Sequence, residues 1–219
     1  MKISVVRNIL EANDRIALQN RELFDENNLL VINLMSSPGA GKTSLLEKTI
    51  SALNTDYKMG IIEGDIQSSH DAERIAKTGV PVVQINTDGA CHLDANMIRD
   101  TLDEFSFKDL DLLVVENVGN LVCPAEFKVG EDFKVMILSV TEGDDKPIKY
   151  PLMFHESSVL LINKIDLLPY VECSLEKIKE DSLKINPHIS IFQISCKTGE
   201  GLEDWYDWVR KRIKKDNVL

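Results

Sequence analysis

The residues of this chain that could do chemistry fall into a few short groups. Ser36-Ser37-Pro38-Gly39-Ala40-Gly41-Lys42-Thr43 follows GxxxxGK[ST], with Ser36 in place of the first glycine. Gly39 and Gly41 allow the turns that aim successive backbone N–H groups at phosphate oxygens, so Pro38 through Ser44 is the expected cradle. Lys42 adds a point charge for the β- and γ-phosphates, and the Thr43 hydroxyl is a ligand type that suits Mg²⁺. Asn163-Lys164-Ile165-Asp166 comes later. The Asp166 carboxylate only accepts hydrogen bonds, which matches the N1–H and 2-amino donors of guanine and not adenine. The Lys164 stem can cover the base face, Asn163 can tie loops together, and the backbone of Ser195-Cys196-Lys197 is placed to meet the guanine oxygen. Cys91, His92 and Cys123 are thiolate and imidazole donors of the kind Ni²⁺ and Zn²⁺ take. Glu63, Asp65 and Glu116 end apolar runs. Asp65 could join Thr43 in holding Mg²⁺ or position a water beside it.

A scaffold must bring these groups to one place. Seven apolar runs read as strands: Leu29–Met35, Lys58–Ile62, Val80–Ile85, Leu110–Val115, Val135–Val140, Val159–Ile162 and Ile189–Ile194. Several are continuously apolar, as in strands covered on both faces of a parallel sheet. Helical patterns lie between them at Thr43–Leu53, Ser69–Thr78, Asp94–Phe105, Leu175–Ile185 and Leu202–Lys214, and an amphipathic helix is predicted over Val5–Leu23. Alternating strand and helix predicts an α/β fold with a mostly parallel central sheet and helices on both faces. Loops leaving the carboxyl ends of such strands share one edge, where the phosphate loop, Asp166, Cys91 and Cys123 would meet. Length and the absence of a linker predict one domain over residues 1–219, with residues 1–27 as a helical extension packed on it. A net charge of −11 argues against nucleic acid as a partner and, more weakly, against an anionic membrane. No apolar run is long enough to span a bilayer and no secretory signal is read, so a cytoplasmic location with reduced thiols is expected. The basic run Arg210–Lys215 reads as a solvated helix end.

In Ras-like GTPases a DxxGQ segment supplies an Mg²⁺-linked Asp and a water-positioning Gln. Here Glu116-Asn117-Val118-Gly119-Asn120 has Glu116 for the Asp and Asn120 for the Gln. The whole chain resembles the HypB-type hydrogenase nickel-incorporation GTPases. The likeness runs from the phosphate loop through Glu63-Gly64-Asp65, Asp71-Ala72-Glu73-Arg74 and Thr141–Lys146 to Asn163–Asp166. Its specific part is Cys91-His92-Leu93-Asp94-Ala95 and Glu116-Asn117-Val118-Gly119-Asn120-Leu121-Val122-Cys123-Pro124-Ala125, which are not generic GTPase motifs.

The resemblance implies the SIMIBI branch of P-loop NTPases and a slow, Mg²⁺-dependent GTP hydrolase. Lys42, Asp65 and Glu116 would be its catalytic residues, and Thr43 and Asp65 its Mg²⁺ ligands. It implies a Ni²⁺ or Zn²⁺ site on Cys91, His92 and Cys123, completed by a water or by a second chain. It also implies a GTP-dependent homodimer that works with a nickel metallochaperone and the precursor of the [NiFe] hydrogenase large subunit. Residues 5–27 hold no Cys or His, so tight chelation by that segment is not expected. Cys173 and Cys196 read as structural, and the isolated His70, His155 and His188 as surface or supporting histidines rather than ligands. The rival readings are an accessory GTPase for another nickel enzyme such as urease, against which the missing Cys-Pro-His counts, and a metal carrier with a vestigial nucleotide site.

Overall fold

The computed structural model describes residues 9–65 and 70–213. All seven predicted strands form: β1 Leu30–Ser36, β2 Met59–Asp65, β3 Val82–Asn86, β4 Leu112–Glu116, β5 Phe133–Ser139, β6 Val159–Asn163 and β7 Ser190–Gln193. They make one sheet in the order β3-β2-β4-β1-β5-β6-β7. Every pairing is parallel, with Leu34 of β1 beside Glu116 on one side and Val135 on the other. Nine α-helices lie among the described residues: α1 Ile9–Glu26, α2 Lys42–Leu53, α3 His70–Ala76, α4 Ala95–Arg99, α5 Cys123–Glu126, α6 Lys146–Lys149, α7 Pro151–Glu156, α8 Leu175–Ile185 and α9 Leu202–Arg210.

Period-two alternation decides which helix covers which face. Leu30, Ile32 and Leu34 point with Met59, Ile61, Leu112, Val114, Val135 and Ile137 toward Leu45, Leu46 and Ile50 of α2 and Trp205 and Trp208 of α9. The intervening residues point the other way. Val31, Ile62, Leu113 and Val115 pack on Phe24 of α1 and Ile98 of α4. Met136, Leu138, Leu160 and Ile162 pack on Phe154 of α7 and Ile178 of α8. A sheet buried on both faces explains why the strands read as unbroken apolar runs.

Two helices end well short of their predicted extents. The predicted run Asp94–Phe105 stops at Arg99, with a 3-10 turn at Leu102–Glu104. The Thr101 hydroxyl donates to the Ile98 carbonyl at 2.7 Å, and Phe105 leaves the helical path to lie over Gly60, where a Cβ would be 3.0 Å from its ring. The helix predicted to run to Lys214 ends at Arg210. The short helices α6 and α7, each with a proline in its first turn, had no apolar periodicity to announce them. The predicted starts at Val5 and Ser69, and Lys214, lie outside the described residues.

Candidate nucleotide and metal site

The phosphate loop leaves β1 and enters α2. Gly39 and Gly41 take positive φ values of 73° and 110°, as a turn of successive N–H groups requires. Gly41 cannot be replaced for a second reason, since a Cβ there would collide with the Asn163 amide. Ser36 has no positive φ, so the missing first glycine is not needed. Its hydroxyl donates to the Ser37 carbonyl at 2.6 Å and accepts from Lys42 Nζ at 3.2 Å. The lysine ammonium is thereby held across the mouth of the loop.

Asn163, at the end of β6, is the hub of the base side. It is 1% exposed. Its Nδ2 donates to the Ala40 carbonyl at 2.9 Å, and its Oδ1 accepts from the amides of Lys164 at 2.7 Å and Cys196 at 3.2 Å. One side chain thus fixes the phosphate loop against the Ser195–Lys197 turn. Lys164 sits in the left-handed region at φ 63°, and its ammonium reaches back to the Gly39 carbonyl at 2.7 Å. A left-handed lysine is a costly conformation, of the kind kept at functional sites. Ser195 Oγ donates to Asp166 Oδ1 at 2.6 Å, which orients the carboxylate and leaves its other oxygen open. Gly41, Ser44, Asn163, Lys164, Asp166, Cys196 and Lys197 line one cleft of about 390 Å³. Cys196 also packs on the core, and burial pushes its thiol up to about 11, an inert thiol rather than a ligand. Cys173 is likewise half-buried among apolar side chains, and burial raises its thiol too.

An acidic cluster faces the phosphate loop from β2, β4 and α3. Thr43 Oγ1 donates to Glu116 Oε1 at 3.0 Å. Glu63, Asp71 and Glu116 bring carboxylate oxygens within 4.8 Å of one another. Glu63 and Glu116 are 3% and 2% exposed, and each has one oxygen without a partner. Burial, and then the charge of Glu116, hold the Glu63 carboxyl far above the ordinary carboxylate range. Burial raises Glu116 as well, against the pull of Lys42. Two buried acids sharing one place retain a proton unless a cation replaces it. Asp65 lines the same cleft beside Pro38, Gly39 and Lys42 but stands outside this carboxylate trio. Sequence reasoning missed Glu63 and Asp71 as neighbours of Glu116 in this cluster. The Arg74 guanidinium tethers Asp71 at 3.1 Å and grips Glu47 of α2 with two hydrogen bonds.

Cys91 and Cys123, thirty-two residues apart, meet with their sulfurs at 2.9 Å. His92 Nδ1 lies 3.7 Å from Cys91 Sγ. All three offer ligand atoms within 4.8 Å of one another, and all are half-buried. The shared Cys91 contact and then burial raise the Cys123 thiol, and burial lowers His92. His92 lies tilted by 34° against Phe127 with ring centres 3.9 Å apart. Soft sulfur and imidazole donors at this spacing fit a thiophilic divalent ion, which binds thiols as thiolates.

The two clusters are joined by one loop. After Glu116 touches Thr43, Asn117 is fully buried. It donates to Asn33 Oδ1 at 3.1 Å and accepts from the Leu93 amide, next to His92, at 2.9 Å. Gly119 lies so close to the phosphate loop that a Cβ would be 2.9 Å from the Pro38 nitrogen. Asn120, in the position of the Ras-like Gln, turns its amide to the Cys91 carbonyl at 3.3 Å rather than toward a phosphate. Cys123 then meets Cys91.

This two-cluster arrangement can be set against known proteins. The family described as CobW/HypB/UreG, nucleotide-binding domain, matches residues 30–193. The hydrogenase maturation factor HypB of Azotobacter vinelandii is 49% identical over 210 residues, covering 96% of this chain and 69% of that protein. The chain belongs to the HypB family. Among solved structures, the hydrogenase maturation factor HypB from Archaeoglobus fulgidus superposes with a TM-score of 0.88 at 41% identity, over 93% of this chain and all of that one. HypB from Helicobacter pylori in complex with nickel gives 0.86 at 38% identity, over 95% of this chain and all of that one. These neighbours share the all-parallel P-loop architecture described above. No helix among the described residues is long and apolar enough to cross a membrane.

Proposed function

We propose that this HypB-family member is a cytoplasmic GTPase that serves nickel insertion into a [NiFe] hydrogenase precursor, working with a nickel-carrying partner protein. The chain acts as one nucleotide-binding domain. The observation that carries this reading is the single loop that puts Glu116 on Thr43 and Cys123 on Cys91. Guanine is read by Asp166, oriented by Ser195, with the Ser195–Lys197 backbone facing the base and Lys164 at its rim. The N–H groups of the loop from Pro38 to Ser44 and the Lys42 ammonium neutralise charge that develops on the β- and γ-phosphates. Thr43, Glu116 and Asp65 are the residues to hold Mg²⁺, with Glu63 and Asp71 beside them. When bound, that ion supplies charge across the phosphate oxygens. Asp65 orients the attacking water. Asn120 is engaged with Cys91, so no amide fills the Gln role and turnover is slow.

Cys91, His92 and Cys123 receive Ni²⁺ as cargo, and Zn²⁺ suits the same donors. Three ligands are one short of a closed tetrahedral set, which supports a site completed at the interface of a GTP-dependent homodimer. A change at the γ-phosphate that shifts Glu116 is passed along the loop to Cys123, so nucleotide state sets metal affinity. The test is single-turnover hydrolysis of GTP and of ATP, with light scattering in GDP and in a GTP analogue. Guanine selectivity that Lys42→Ala abolishes, with a dimer in the analogue, supports the reading. Equal affinity for ATP and GTP overturns the base assignment.

A further inference from the structure

The two metal-bearing segments do more than meet at their cysteines. Both are fastened to the N-terminal helix by buried amides. Asn13 of α1 accepts from the Ala95 amide at 2.9 Å through Oδ1, and its Nδ2 donates to the Lys128 carbonyl at 2.8 Å. About two turns further on, Asn20 Nδ2 donates to the Ala95 carbonyl at 2.9 Å and to the Val129 carbonyl at 3.1 Å. Each asparagine therefore bridges the same two segments. Ala95 lies three residues after His92, and Lys128 and Val129 lie two and three residues after α5, which Cys123 opens. Both polar atoms of Ala95 are taken by α1, and Asn13 and Asn20 are 7% and 1% exposed.

Other contacts make the attachment rigid. Gly130 runs so close to α1 that a Cβ would be 2.8 Å from Asn20 Cβ and 3.0 Å from the Ala17 carbonyl. Arg21 donates to the Gly130 carbonyl at 3.0 Å and pairs with Asp132 at 2.7 Å. From within the sheet, Lys134 of β5 donates to the Ala125 carbonyl inside α5 at 2.5 Å. Nothing in the nucleotide chemistry calls for two buried asparagines on this helix. Asn13 uses both its acceptor and its donor, and Asn20 uses the two hydrogens of its amide nitrogen, so each short stem fixes the spacing of two backbones.

We propose that α1 is part of the metal centre: Asn13 and Asn20 are positioning residues that hold the Cys91–His92 and Cys123 segments at the spacing a shared metal ion requires. This rests on the reading of Cys91, His92 and Cys123 as metal ligands. A metal site is sensitive to displacements of about 0.5 Å in its supporting shell. Loss of such support typically costs about 10- to 100-fold in metal affinity.

The experiment uses the full chain loaded with GDP and titrated with Ni²⁺ alone. Its readouts are thiolate-to-nickel charge-transfer absorption, affinity by competition with a chromophoric chelator, and GDP affinity. Asn13→Ala and Asn20→Ala are compared with the parent, with Cys91→Ala/Cys123→Ala, and with Ser182→Ala, which removes a buried hydroxyl from α8. The expected result is a Ni²⁺ affinity lower by about tenfold or more, an altered charge-transfer band, and GDP affinity within about twofold of the parent. Asn13→Ala carries the test if Asn20→Ala does not fold, and Asn13→Asp, which sets a carboxylate oxygen against the Lys128 carbonyl, should lose at least as much. Unchanged nickel affinity and spectrum in the folded asparagine variants overturn the proposal, as does an equal loss in Ser182→Ala. A parent protein without any thiolate band that the cysteine pair removes would instead overturn the metal-ligand reading itself.

Discussion

Replacing Asn163 by alanine is the sharpest perturbation of the nucleotide cleft. The side chain makes three hydrogen bonds, of which those to the Ala40 carbonyl and the Cys196 amide span separate loops. Asn163 is 1% exposed, so water cannot take its place without opening the loops. A buried group left unpaired costs about 1–3 kcal/mol, and two such groups set the loss at roughly 2–4 kcal/mol once partial relaxation is allowed. The Lys164 bond is local and counts for little. Urea denaturation of the nucleotide-free protein measures this term directly, as a lower midpoint at unchanged slope. The phosphate loop and the Ser195–Lys197 turn then lose their common anchor. GDP affinity should fall by about 10- to 100-fold, equivalent to roughly 1.4–2.7 kcal/mol of lost preorganisation. Isothermal titration with GDP checks it. A stability loss below about 1 kcal/mol with GDP affinity intact would refute the claim that this amide organises the cleft.

Other substitutions and conditions probe the remaining parts. Asp166→Asn should exchange guanine for xanthine preference, because the new amide donates where xanthine's C2 carbonyl accepts, and competition between the two diphosphates reads it out. Glu63 carries a raised pKa in the folded, metal-free protein, so the folded state holds a proton that the unfolded chain releases above about 4.5. That contribution to stability is complete below the ordinary carboxylate range and is lost as pH rises toward the folded value, so metal-free stability should decline from pH 6 to 9. Mg²⁺ must displace the same proton. Its binding should tighten with pH and release about one proton at pH 7, seen as a dependence of titration heat on buffer ionisation enthalpy. Heat independent of buffer would refute the shared proton. Gly119→Ala places a methyl against the Pro38 backbone, and an overpacked contact costs about 1–3 kcal/mol. It should weaken the dependence of nickel affinity on nucleotide while leaving Cys91 and Cys123 in place, and an unaltered dependence would show that this contact carries no coupling.

The fold was legible because each strand is an apolar run and Gly-Lys-Thr marks the first strand–helix junction. Asp166 and Cys123 could be assigned to one edge because parallel strands send their exits there. What the sequence did not expose were contacts fixed by tertiary geometry. Glu63 and Asp65 share one face of β2, and only the register that sets Glu63 beside Glu116 puts the first of them in the carboxylate cluster. Asp71 comes from another element again. The left-handed Lys164 and the inward turn of Asn120 leave no trace in composition or period. The buried Asn13 and Asn20 read as ordinary polar positions of an amphipathic helix. The predicted helix to Phe105 failed where a threonine hydroxyl and one aromatic side chain outweighed local propensity.

The central claim is that one loop ties the state of the nucleotide to the affinity of the cysteine–histidine group. The most direct measurement is the Ni²⁺ affinity of the same protein loaded with GDP and with a non-hydrolysable GTP analogue, read by thiolate charge-transfer absorption. The loop predicts affinities that differ by about 5-fold or more, the range of a coupling energy near 1–3 kcal/mol, with the difference lost in Cys91→Ala/Cys123→Ala. Equal affinities in the two nucleotide states would contradict it.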